Sequence, residues 1–158
     1  MKIIKGGVTS PKGFKANGFW AGIKKSAKPD LGLIYSPTPC AAAAVFTRNS
    51  VKAAPITVCM DHIKGGQAQA LIANSGNANC FTGEYGLMYA RKMCAIVAEK
   101  LDIKERSVLV MSTGMIGRPF PYEKIREAVP QLVKGLSPAK GANFAKAIMT
   151  TDLKDKQV

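Results

Sequence analysis

Ser112-Thr113-Gly114-Met115-Ile116-Gly117 follows an apolar run that begins at Ser107, a strand-like segment entering a glycine turn. Such a turn can aim backbone N–H groups at one point, where they would stabilise the oxyanion of an acyl transfer. The Thr113 hydroxyl can add a further donor. On spacing alone a plain strand-to-helix turn that needs glycine explains the segment as well, and is the preferred reading. No Lys-Ser or Lys-Thr follows Gly117, so the segment is not a Walker A loop. Asn74 to Gly83 reads Asn-Ser-Gly-Asn-Ala-Asn-Cys-Phe-Thr-Gly. Its amides suit either a substrate or a buried hydrogen-bond network around a turn of unusual backbone geometry, and the structural use is favoured. Thr150-Thr151-Asp152 offers hydroxyls for ligand contact or helix ending. An internal threonine with no visible base is a poor nucleophile.

The remaining candidates narrow the chemistry. His62 is the single histidine, so a Ser-His-Asp relay within this chain or a histidine-rich metal site is close to excluded, and any base is expected not to be imidazole. Asp61 precedes it, but adjacent side chains do not orient each other, and His62 reads as a surface or turn residue. Cys40, Cys59, Cys80 and Cys94 lie 19, 21 and 14 residues apart. No C-x-x-C pair forms, so no zinc is expected, and reduced thiols in a cytoplasmic protein are.

These segments need a scaffold, and hydropathy supplies its outline. Residues 1–29, rich in glycine and lysine, suggest short strands and turns. Leu31–Ser36 reads as a strand ended by Pro37 and Pro39, and Cys40–Thr47, Ile56–Met60 and Ala68–Ala73 as further strands. Thr82 suits a helix cap, with Glu84 in the first turn. The helix beyond it would line up Leu87, Ala90, Cys94, Val97 and Leu101 and end near Asp102. Ser107–Ser112 is a strand. Pro121 opens a helix carrying Ile125 and Val129, which Pro130 should kink or end. Ser137-Pro138 starts a last helix with Phe144, Ala145, Ile148 and Met149 inward. Strands and helices in this order give an α/β layered fold, with no internal boundary in residues 1–158.

Composition sets outer limits. The 158 residues are 47% hydrophobic and 21% charged, a globular balance too apolar for disorder. No apolar run approaches about 18 residues, so no membrane span is expected. Lys2 and Lys5 are followed by glycine, threonine and proline, without the apolar core of a secretory signal. The net charge is +13, and seven lysines precede the first acid, Asp30. Eighteen of the 23 basic residues are lysine, which lacks arginine's bidentate reading, and aromatics are sparse. Nucleic-acid binding is therefore a minor alternative to a solvated basic face or a surface that meets an acidic partner chain.

Five stretches, in order along nearly the whole chain, resemble the glutamate N-acetyltransferase (ornithine acetyltransferase) family of arginine biosynthesis. They are Gly7-Val8-Thr9-Ser10-Pro11-Lys12-Gly13-Phe14, Ala43-Ala44-Val45-Phe46-Thr47-Arg48-Asn49, Asn74-Ser75-Gly76-Asn77-Ala78-Asn79, Ser112-Thr113-Gly114-Met115-Ile116-Gly117-Arg118-Pro119 and Ala147-Ile148-Met149-Thr150-Thr151-Asp152. The resemblance implies an α/β fold of layered sheets and helices, of the self-cleaving N-terminal-threonine acyltransferase type. It implies cleavage of one precursor before an internal threonine, which becomes nucleophile and base at the start of a β chain. This sequence corresponds to the α side, within an expected α2β2 assembly. By the same resemblance, acetyl passes from N-acetylornithine to that threonine and on to glutamate, without metal or organic cofactor. Whether acetyl-CoA also donates is left open. The oxyanion hole maps onto Thr113 and Gly114, and the substrate-contacting threonine onto Thr150 or Thr151, with Thr151 preferred. The family's Lys-Gly-Ser-Gly-Met segment and Asn-Met-Ala-Thr junction have no match here, so the nucleophile is expected on another chain. A self-cleaved aminopeptidase or amidohydrolase of the same architecture is the enzymatic alternative.

Overall fold

A computed structural model describes residues 6–157. The strands are β1 (Lys15–Phe19), β2 (Leu31–Ala41), β3 (Gln67–Asn74) and β4 (Val108–Ser112). The helices are α1 (Ala54–His62), α2 (Gly83–Leu101), α3 (Tyr122–Lys134) and α4 (Gly141–Ala147), so the α/β expectation holds. The sheet order is β1-β2-β3-β4. β1 with β2 and β2 with β3 are antiparallel, whereas β3 and β4 are parallel and joined through α2. Parallel neighbours need such a crossover, and here it makes β3 and β4 end side by side, with Asn74 opposite Ser112.

One sheet face carries the main core. Leu31, Leu33, Ile72, Val108 and Val110 pack there with Met93 and Val97 of α2 and Ile125, Val129 and Leu132 of α3. On the other face α4 lays Phe144 against Ala16 and Ala73. That cover is partial: Met111, which points away from the main core, is 53% exposed.

Several elements depart from the sequence expectations. Ile56–Met60 is part of a helix, α1. Pro55 sits in its first turn, and Val58 and His62, four residues apart, face inward. Ile56, Thr57, Val58 and Cys59 favour strands locally, but their site is the outer edge of β4, where a helix can present capping side chains. Cys59 Sγ donates to the Val110 carbonyl oxygen at 3.1 Å and accepts the Val110 N–H at 3.3 Å. His62 Nδ1 lies 2.7 Å from the Val108 carbonyl oxygen. His62 is thus a buried edge cap, 7% exposed, and not a surface or turn residue. Unpaired edge groups are costly or aggregation-prone, and these two side chains satisfy three of them.

The prolines also act differently. β2 runs on to Ala41 through Pro37 and Pro39, because pairing with β3 lapses between Tyr35 and Cys40 and no ladder N–H is needed there. The strand expected over Cys40–Thr47 is only the end of β2, followed by irregular chain. α3 continues through Pro130 to Lys134. Pro130 is exposed, while buried Val129 and Leu132 hold the two halves on one face. Burying Leu132 returns about 1.5–3 kcal/mol, comparable to the roughly 3 kcal/mol cost of an interior proline. Ser137 accepts the Ala139 N–H as a cap, but a 3-10 turn, Pro138–Lys140, precedes α4. α4 ends at Ala147, so Ile148 is 41% exposed instead of inward.

Candidate active site

β3 and β4 each end in a loop, and the two loops zip together. The Thr113 N–H donates to the Asn74 carbonyl oxygen at 3.0 Å, and Met115 N–H to that of Gly76 at 3.4 Å. Ala78 N–H returns to the Met115 carbonyl oxygen at 2.9 Å. Gly114 has φ +124°, which disfavours any L side chain. A Cβ there would stand 2.4 Å from the Gly76 carbonyl carbon, so the backbones touch directly.

The first loop is turned inward. Asn74, Ser75, Asn77 and Asn79 are all buried. Asn74 Nδ2 donates to the Asn77 carbonyl oxygen at 2.8 Å and Asn79 Nδ2 to that of Gly86 at 2.9 Å. Thr82 takes the N-cap position of α2 but does not cap it with its side chain; its hydroxyl instead donates to Asn79 Oδ1 at 2.6 Å. The amides thus form the buried network, one of the two uses open from sequence. The left-handed positions are Gly76, Phe81 and Gly83, and none is an asparagine. Asn74 Oδ1 and Ser112 Oγ, on register partners beneath the loops, are buried without a partner among the described residues.

The second loop is exposed from Thr113 to Pro119. The Thr113 N–H is already committed to Asn74. At the start of this loop the Thr113 hydroxyl and the Gly114 N–H are without an acceptor among the described residues, as are the N–H groups of Ile116, Gly117 and Arg118 further along. Thr113 therefore offers its side chain and not its backbone. A cavity of about 440 Å³ beside it is lined by Ile34, Leu71, Ala73, Met111, Phe144 and Ile148 together with Asn74, Ser112 and Thr113. No titratable side chain lines it. Low polarity strengthens any hydrogen bond made to developing charge there.

Thr150 and Thr151 are exposed and follow Ile148 of this lining by two and three residues, outside the lining itself. The structure thus brings the end of α4, but not the two threonine side chains, to the Thr113 cavity. Asp61 is held by Lys64 and Arg106, each at 3.0 Å, on the surface and apart from the Thr113 loop. Those cations hold its carboxyl below the usual range, the Lys64 hydrogen bond first. Among the described residues no cluster of three or more His, Cys, Asp or Glu could hold a metal, and no helix is long and apolar enough to cross a membrane.

Residues 15–158 match the ArgJ family. The chain belongs to that family. It is 51% identical over 152 residues to the arginine biosynthesis bifunctional protein ArgJ of Caldanaerobacter subterraneus subsp. tengcongensis, covering 96% of this chain and 38% of that protein. Its identity to the ArgJ of Thermosynechococcus vestitus is 48% over 156 residues, covering 98% and 37%. The chain therefore spans about two-fifths of the length of the curated relatives it matches. Two crystal structures share its fold. An ArgJ from Bacillus halodurans superposes with TM-score 0.89 at 40% identity, covering 98% of this chain and 81% of that one. Ornithine acetyltransferase from Mycobacterium tuberculosis, complexed with ornithine, gives TM-score 0.90 at 40% identity, with 94% and 81% covered. The layered α/β expectation and the family resemblance are both borne out.

Proposed function

We propose that this chain is the α side of a cytoplasmic acetyltransferase that moves acetyl from N-acetylornithine to glutamate in arginine biosynthesis, with Thr113 and Gly114 as its oxyanion hole. The observation that carries the site assignment is that the Thr113 hydroxyl and the Gly114 N–H are both free where the turn packs backbone to backbone against Gly76. ArgJ-family membership supports the reaction. In it, the threonine that begins a separate β chain attacks the acetyl carbonyl, and its proton passes to that chain's own terminal amine. The carbonyl oxygen takes the negative charge, facing the Thr113 hydroxyl and Gly114 N–H. Collapse breaks the amide bond, and ornithine leaves with the proton. Glutamate's amine then attacks the acetyl ester and regenerates the threonine. Donors fixed before the reaction need no reorganisation when charge appears, which is why a rigid turn suits the task.

In the same reading Thr151, with Thr150 the alternative, hydrogen-bonds the ornithine portion without covalent chemistry. The assembled protein is α2β2, formed after self-cleavage. Intact mass and N-terminal sequencing of the chain that copurifies with this one test the architecture: a β chain beginning with threonine is expected, and its absence from active enzyme would overturn the assignment. Acetyl transfer from N-acetylornithine to glutamate tests the reaction; release of amine from a peptide with no such transfer would replace it with a hydrolase.

A further inference from the structure

The segment that carries Thr150 and Thr151 is exposed, yet the backbone just before it is gripped by two residues far away in sequence. The Ser75 hydroxyl donates to the Ala147 carbonyl oxygen at 2.5 Å. The Lys24 ammonium donates to the Met149 carbonyl oxygen at 2.6 Å and to that of Pro29 at 3.0 Å. Ala147 ends α4 and Met149 lies two residues beyond it, where carbonyl groups lack helical partners and need others.

Lys24 is itself held. The carboxylate of Asp30, fully buried, accepts the backbone N–H groups of Ala21 at 2.6 Å, Ile23 at 2.7 Å and Lys24 at 2.8 Å. Three donors on one carboxylate fold the Ala21–Asp30 loop into a single arrangement. The Asp30 carbonyl oxygen accepts the Ser75 N–H at 2.8 Å, tying this loop to the end of β3. A Cβ on Gly76 would lie 3.0 Å from Lys24 Cγ, so the lysine stem packs on the same glycine whose backbone meets Gly114. Partial burial pulls the Lys24 pKa below the usual lysine value, against the opposing charge of Asp30. An ammonium kept there despite desolvation must make its hydrogen bonds to offset that cost.

We propose that Lys24 is a positioning residue for the acetyl-donor site: anchored by Asp30 and seated on Gly76, it fixes the Met149 carbonyl and so sets the Thr150–Thr151 segment relative to Thr113 and Gly114. This rests on the reading that one of those threonines touches the substrate. The Lys24 ammonium is spent on the Met149 and Pro29 carbonyl oxygens. Its effect falls on where substrate is held, so binding should suffer more than the chemical step.

The test uses the full-length, self-processed enzyme. Lys24→Met keeps the stem on Gly76 and removes the donor. The Michaelis constant for N-acetylornithine should rise about tenfold while turnover stays within about twofold, and Lys24→Arg should recover most of the loss. Lys24→Gln, too short to reach Met149, gives the same readout where methionine is not accepted. Amide hydrogen exchange at Ile148 and Met149, whose N–H groups donate to the Phe144 and Lys146 carbonyl oxygens, should quicken in Lys24→Met, with α2 unchanged. An unchanged Michaelis constant, or a fall in turnover alone, in enzyme that transfers acetyl would overturn the proposal and leave the proposed function standing. If the wild type transfers no acetyl, the proposed function falls instead. The exchange comparison then decides the tether: faster exchange supports it and unchanged exchange refutes it.

Discussion

The loops after β3 and β4 leave the sheet in register, side by side, and have opposite characters. The first buries Asn74, Ser75, Asn77 and Asn79 and spends most of its polar groups on its own backbone, on α2 and on the end of α4. The second exposes Thr113 to Pro119 and leaves two donors at its start unspent. The contrast shows that the loop proposed to hold the oxyanion need not be rigid by itself. It borrows rigidity through the Gly76–Gly114 contact and the paired hydrogen bonds on either side, while its free donors remain available. Substitutions in the first loop should therefore be read as lost stability, and those at Thr113 as lost turnover.

The largest expected effect is at the contact between the loops. Gly114→Ala forces a Cβ into the Gly76 backbone at a positive φ. It should abolish measurable transfer in the full-length enzyme and also lower the melting temperature, because the loops must separate. A folded, active Gly114→Ala enzyme would show that the contact is dispensable. Asn79→Ala comes next. It removes the buried Asn79 amide's bonds to the Gly86 carbonyl oxygen and the Thr82 hydroxyl, and should cost about 1–3 kcal/mol in denaturant unfolding. Turnover per folded molecule should change much less. A turnover loss larger than the stability loss would erase the division between the two loops.

Smaller effects lie further from the turn. Thr151→Val should raise the Michaelis constant for N-acetylornithine more than it lowers turnover, by about tenfold or less for one neutral hydrogen bond. An acetyl group trapped on Thr151 would make it the nucleophile and contradict the scheme. The smallest effect is at Cys94, fully buried in the core. Burial pushes its thiol well above the usual range, with Cys59 adding to the effect. An alkylating reagent at neutral pH should leave it unmodified in native protein and label it only after unfolding. Fast native labelling would mean the core beneath β4 opens readily.

Much of the scaffold for this contrast was legible from residue order. β3, β4 and α2 follow from periodicity, and the Asn74–Gly83 loop from its asparagines and glycines. The face of α3 emerged from Ile125 and Val129. What failed did so where a distant partner overrode local preference. Ile56 to Cys59 favour a strand, yet the free edge of β4 makes a helix carrying Cys59 and His62 the better solution. Pro37, Pro39 and Pro130 sit where no ladder bond is needed or where the buried face on both sides compensates. Thr82 does stand at the N-cap of α2, but its hydroxyl serves Asn79. At the site, sequence pointed to Thr113 and Gly114 but could not show that the Thr113 N–H is already committed to Asn74. The Lys24 tether joins residues 125 apart, a distance at which neither spacing nor composition carries a signal.

The most direct test of the account is steady-state kinetics of Thr113→Ala in the full-length, self-processed enzyme, with Thr113→Ser beside it. Removing one oxyanion donor typically costs about 10²–10³ in turnover, or roughly 3–4 kcal/mol. The account predicts that loss for alanine, recovery by serine, and nearly unchanged melting temperature and Michaelis constants. Full transfer activity in Thr113→Ala would remove the hydroxyl from the mechanism and reduce the exposed turn to a structural one.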